Sequence, residues 1–192
     1  MRRVLIPLCL LIGSHVASGQ RAYQTEGPNR LFVEGKELFN LKNYSGCIDK
    51  LSAYKQQATD ADLIQEADYM LVAAAYEQGR PNAAELLENY LAVYPASRHA
   101  DEVAFLIGST YFGEGWYEEA IQWFNRSNID VLSAEQQEAY SFRLAYALLQ
   151  QDDLEKAEIL SQKRDMKKHW LRDVKRIIQR KMNRQPKCNI TN

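Results

Sequence analysis

The stretch from Gly108 to Phe124, GSTYFGEGWYEEAIQWF, constrains the fold of this chain more than any other part of it. Gly108, Tyr111, Gly115, Tyr117, Ala120 and Phe124 stand at offsets 0, 3, 7, 9, 12 and 16. Offsets 0 and 3 share one face of a helix, 12 and 16 share one face of another, and Gly115 falls between them as a break. The spacing predicts two short helices folded back on each other. Gly108 and Ala120 are small where the two backbones approach, and Tyr111, Tyr117 and Phe124 fill the space beside the crossing.

The same pattern recurs along the chain. The small position of Ala120 aligns with Cys47, Ala83 and Ala157, at intervals of 36, 37 and 37 residues. The position twelve residues earlier gives Gly35, Leu71, Gly108 and Ala145, at the same intervals. Two series in one register predict four units. The first carries Gly35, Leu38, Tyr44, Cys47 and Leu51, with its turn at Lys42-Asn43. The second has Gly79 and Pro81 as helix stop and helix start, then Ala83, Leu87, Tyr90 and a closing Pro95, but Leu71 departs from the small residue expected. The fourth has Ala145, Leu148, a turn at Gln151-Asp152-Asp153, Leu154 and Ala157, with Ser161 in place of an aromatic or leucine. No alternating apolar and polar run predicts a sheet.

Small and aromatic residues at these offsets resemble the tetratricopeptide repeat (TPR) family. The usual period there is about 34 residues, so these units are slightly long. The resemblance covers about residues 29–162 and implies an all-α fold. Eight helices would form a right-handed α-solenoid of four TPR hairpins, followed by a C-terminal basic amphipathic helix. The phrase YPASRHADEVAFLIGSTYFGEGWYEEAIQWF, from Tyr94 to Phe124, looks like TPRs of exported bacterial envelope proteins. These include outer-membrane assembly and cell-division coordination factors, which hold other proteins together.

The termini add two expectations. Met1-Arg2-Arg3, the apolar run Val4–Ile12 and Ala17-Ser18-Gly19 predict a secretory signal peptide over residues 1–19, followed by a linker over 20–28, the repeats over 29–162 and a basic helix and tail over 163–192. The apolar run is short for a bilayer span. Cys9 follows Ile6-Pro7-Leu8 rather than small residues, which argues against lipidation. After cleavage only Cys47 and Cys188 remain, too few and too distant for a disulfide framework, and Cys47 reads as a small buried residue.

The overall charge of -1 hides an asymmetry. Residues 20–162 hold 11 basic and 23 acidic side chains, whereas residues 163–192 hold 11 basic and 2 acidic. Such a split marks an interaction segment. Trp170, Leu171, Val174, Ile177, Ile178 and Met182 fall at helical spacing within the basic stretch. Three readings stand open for it: a solvating cap on the fourth repeat, the first helix of a fifth repeat, or the remnant of a longer repeat protein. Its basic residues could meet an anionic membrane, other acidic surfaces or the acidic repeats of the chain itself, while nucleic acid is disfavoured for an exported protein.

Catalytic and metal motifs are missing from the sequence. His15, His99 and His169 form no metal-ligand spacing, and HExxH, CxxC, GxSxG and phosphate-binding loops are absent. Glu118-Glu119 and Asp152-Asp153 open second helices, where acidic residues favour the positive helix end. Asn189-Ile190-Thr191 fits a glycosylation sequon. The expectation is a non-enzymatic protein without cofactor or metal.

The family resemblance implies that partner-facing positions lie three before, one after and four after the Gly108 position. They are Phe32, Lys36 and Phe39 in the first unit, then Asp68, with Val72 and Ala75, in the second. The third unit supplies Phe105, Ser109 and Phe112, and the fourth Phe142 and Tyr146, with Leu149. Aromatic residues exposed in a concavity are typical anchors, although the same rings could pack on an adjacent repeat. Lys36 has no basic counterpart in the second unit, which disfavours the two-residue carboxylate clamp of chaperone-binding TPRs. The expected partner is a protein or peptide, held by an exported, periplasmic or envelope-associated scaffold. The alternatives are an accessory or truncated part of a larger envelope protein or enzyme, and a surface-binding module acting through the basic tail.

Overall fold

The computed structural model describes residues 27–162 and 168–184. The expected signal peptide over residues 1–19, Cys9, residues 163–167, Cys188 and the Asn189 sequon lie outside the described residues. Among those described there are helices and turns but no strand. The helices are α1 Pro28–Asn40, α2 Tyr44–Lys55, α3 Ala61–Glu77, α4 Ala83–Val93, α5 Ala100–Glu114, α6 Tyr117–Phe124, α7 Ala134–Gln150, α8 Leu154–Gln162 and α9 Lys168–Arg184, with a single 3₁₀ turn at Ile129–Val131. The fold is all-α and of the α-solenoid class, built hairpin by hairpin. The chain divides into two compact units on either side of the Ala74–Ala75 bond, within α3.

In the first unit α1 and α2 fold back on each other. Their turn closes through Lys42, at φ 58, with its N–H donated to the Phe39 carbonyl at 2.9 Å and that of Asn43 to the Leu38 carbonyl at 2.8 Å. Asn43 then starts α2 by accepting the Gly46 N–H at 3.1 Å, the side-chain cap that satisfies an orphan helix donor. Gly35 sits where a Cβ would stand 2.5 Å from Leu51 Cδ2, so the backbones meet there as the small-residue series requires. Cys47, Leu51 and Tyr54 are buried beside it. Asp60 caps α3 by accepting the N–H groups of Asp62 and Leu63 at 3.0 and 3.1 Å.

The second unit opens with the end of α3, which stops at Gly79, φ 63, with Arg80 N–H donated to the Ala75 carbonyl at 3.1 Å. α5 packs against α4, α6 and α7, and every residue from Val103 to Ser109 is buried. A helix covered on three sides must be apolar nearly all round. Its turn to α6 uses Gly115 at φ 83, a conformation glycine reaches without a Cβ clash. A Cβ on Gly108 would lie 2.8 Å from the Phe124 ring and 3.2 Å from the Ala120 carbonyl, the crossing that the opening motif predicts. Ser133 and Gln136 form a capping box at the start of α7. The α7–α8 turn carries Asp152 at φ 60. The left-handed residues of the four turns, Lys42, Gly79, Gly115 and Asp152, are thus 37, 36 and 37 residues apart, the interval of the side-chain series.

Helix α9 packs on both α7 and α8. Val174 is fully buried and Ile178 nearly so, and Trp170 stacks on Phe142 with ring centroids 4.6 Å apart. Lys181 Nζ donates to the Leu149 carbonyl at the end of α7 and pairs with Asp152 at 2.5 Å. A cation at that end satisfies orphan carbonyls and opposes the negative end of the helix dipole. Position 182, where the 37-residue interval would put the next small residue, is methionine. In its packing on α7 and α8, α9 covers the last described hairpin as a cap does.

Candidate binding surface

The structure divides the expected partner-facing residues into core and surface. Phe32 is buried in the first hairpin, 5.3 Å from the Tyr54 ring. Phe105 is 3% exposed, between the Phe124 ring at 6.1 Å and the Arg143 guanidinium at 5.7 Å. Ser109 is buried and donates its hydroxyl to the Phe105 carbonyl at 2.7 Å, within its own helix. These three side chains have packing or local hydrogen bonds to account for them. Lys36 is exposed. Phe39 is half-buried between Tyr44 at 5.9 Å and Tyr69 at 6.4 Å. Asp68 is half-buried and ion-paired with Lys55.

Phe112, Phe142 and Tyr146 come together in the second unit. Phe112 stands four residues after Gly108, on the last turn of α5, and Phe142 and Tyr146 are one turn apart on a single face of α7. Tyr146 is at the centre. Its ring is 5.7 Å from Phe112, 6.1 Å from Phe142 and 6.0 Å from Tyr117. Tyr117 meets Phe112 at 5.9 Å, and Phe142 carries the stacked Trp170. All five rings are half-buried, so each keeps an accessible part. The surface runs from the first turn of α6 through α5 and α7 to α9. It offers ring faces and edges, and its chemistry is apolar and π contact.

Sequence reasoning did not place Tyr117 and Trp170 on this surface, because their offsets read as hairpin packing and as a capping stripe. One signal was available for Tyr117. Its position nine after Gly108 is the first residue of α6, and the first residue of a helix points partly away from the crossing that the rest of the helix makes.

Two neighbouring features complete the geometry. Tyr111 stacks on the exposed Trp116 at 5.8 Å and donates its hydroxyl to Glu88 at 2.7 Å. That hydrogen bond, then burial and then the surrounding carboxylates push the Tyr111 phenol up to about 12. A separate cleft of about 400 Å³ lies among α4, α5 and α6, floored by Leu91, Ala104 and Trp123. The Arg126 guanidinium sits 4.4 Å over the Trp123 ring, so that ring face is already covered by its own chain.

The family model YfiO, described as an outer membrane lipoprotein, matches residues 24–116, just under half of the chain. No curated protein and no solved structure matches it. The family description includes a lipid, whereas Cys9 lacks small residues ahead of it and lies outside the described residues. The match ends at the α5–α6 turn and so spans the first two hairpins and α5 of the third. Over residues 24–116 the chain is similar to the YfiO outer membrane lipoproteins, an envelope family, in keeping with its all-α, α-solenoid fold.

Proposed function

We propose that this chain is a non-enzymatic scaffold of the bacterial cell envelope that holds a segment of a partner protein along the first-helix side of its repeats. The observation that carries the reading is the continuous run of half-buried rings Tyr117, Phe112, Tyr146, Phe142 and Trp170. Such rings cost little conformational entropy to immobilise and offer large contact area, which is why a few of them dominate many interfaces. Phe32, Phe105 and Ser109 serve this function by fixing the helices within their own units, and Lys36, Phe39 and Asp68 are the accessible positions of the first unit taken by itself.

The reading is tested by photo-crosslinking in cells from a benzophenone side chain placed at Phe112 or Tyr146, with the exposed Ile159 of α8 as control. One discrete adduct from Phe112 and Tyr146, absent from Ile159, is the expected result. Phe142→Ala should weaken that adduct about tenfold or more. No adduct, or the same pattern from all three positions, removes the proposed surface.

A further inference from the structure

The basic helix α9 has two faces, and the fold has already used one of them. Trp170, Val174, Ile178 and Lys181 face α7 and α8. An amphipathic helix that lies on a bilayer does so by burying its apolar stripe among the acyl chains, and here that stripe is in protein. What remains outward is charge. Arg172, Lys175, Arg176 and Arg180 are all exposed at the i, i+3, i+4 and i+8 spacing of one helix side, with Asp173 as the single acidic residue, 3.3 Å from Arg176.

Solvation of a terminal helix does not require a single sign of charge. The neighbouring α8 is just as exposed but mixes Glu155, Lys156 and Glu158, and its Lys156 is paired with Asp153 at 2.7 Å. A face of one sign on a chain whose repeats carry the opposite sign is a field that selects partners. A protein interface would place an aromatic or aliphatic anchor at its centre, and among the described side chains this face has none. A plane of phosphates needs only the charges. The family whose model matches residues 24–116 is described as an outer membrane lipoprotein, a kind of protein held at a bilayer.

We infer that the outward face of α9 binds the phosphate headgroups of an anionic bilayer by electrostatics alone, without insertion, while Trp170 stays stacked on Phe142. The contact goes beyond the scaffold reading and does not depend on it. It would set which end of the repeat stack faces the membrane.

The test is flotation of the full chain with vesicles of phosphatidylethanolamine containing phosphatidylglycerol, against phosphatidylcholine alone, at low and high salt. A basic residue beside an anionic surface strengthens binding about fivefold. Changing Arg172, Lys175, Arg176 and Arg180 together to Gln should therefore weaken the charge-dependent binding by about several hundredfold. The same four positions as Lys should keep most of it, and high salt should abolish it. Circular dichroism of the Gln variant should match the parent, since none of the four side chains is buried. Brominated acyl chains should leave tryptophan emission unchanged.

Four results overturn the inference: equal flotation on neutral vesicles, no loss in the Gln variant, emission quenching that disappears in Trp170→Phe, or an acidic protein captured through these residues with no vesicle binding. Loss of crosslinking at Phe112 and Tyr146 with vesicle binding retained would overturn the scaffold reading alone.

Discussion

Glycine is used in two different ways on one helix of this protein, and the difference can be measured. A Cβ at Gly108 would press on the Phe124 ring and the Ala120 carbonyl, whereas a Cβ at Gly113 would meet nothing within 4 Å. Gly108→Ala should destabilise the protein by about 1–3 kcal/mol, the usual cost of overpacking. Gly113→Ala should be neutral or stabilise it by about 0.4–1 kcal/mol, because it removes only unfolded-state freedom. Denaturant midpoints of the two variants check this, and equal losses would place the crossing elsewhere. Tyr111 supplies a titration. Its pKa is raised to about 12, so the stability it contributes is complete below its ordinary value near 10 and is lost as pH rises through about 12. Glu88→Ala removes the largest cause, the hydrogen-bond acceptor, and should return the phenol toward its ordinary value. Alkaline spectrophotometric titration reads the change, and an unaltered curve would show that the hydrogen bond is not its source.

At the scale of elements, the first and third hairpins join a glycine crossing to a left-handed turn, and the sequence shows these crossings more clearly than the turns. Gly79 and Gly115 announce theirs, but Lys42 and Asp152 adopt the same conformation without glycine, and only the repeat interval identifies them. Helix α9 is held by a half-buried tryptophan, two buried aliphatic residues and one lysine that closes the end of α7. Trp170→Ala should cost about 2 kcal/mol, less than the 3–5 of a fully buried aromatic. It should also make α9 itself more susceptible to limited proteolysis. A thermal midpoint and a cleavage pattern identical to the parent would mean that the stack on Phe142 contributes nothing to the cap.

For the whole molecule, the aromatic surface and the basic face occupy different sides of the terminal helices and should act independently. Phe112→Ala with Tyr146→Ala should abolish partner crosslinking from Phe142 and leave vesicle flotation intact. The four Gln changes on α9 should do the reverse. Energies at separated sites add when no packing is shared, so a combined variant should show both losses without either enlarging the other. Strong coupling would mean that membrane and partner compete for one surface.

The sequence by itself determined the repeat. Side chains at helical spacing report which face is buried, and the same interval repeated three times fixes the register of every hairpin, because helix geometry is local. It also located the charge asymmetry, since charge is a property of composition. It could not decide which partner-facing residues remain accessible. Phe105 and Phe112 stand seven residues apart on α5, yet one is in the core and the other is partly open. The Phe105 ring lies between Phe124 of α6 and Arg143 of α7, whereas Phe112, at the last turn, reaches beyond that cover to Tyr117 and Tyr146. The fate of the tail was decided in the same way. Its stripe suits a membrane or a neighbouring helix equally well, and only the fit of Trp170, Val174 and Ile178 against α7 and α8 assigns it to the protein and leaves the arginines outside.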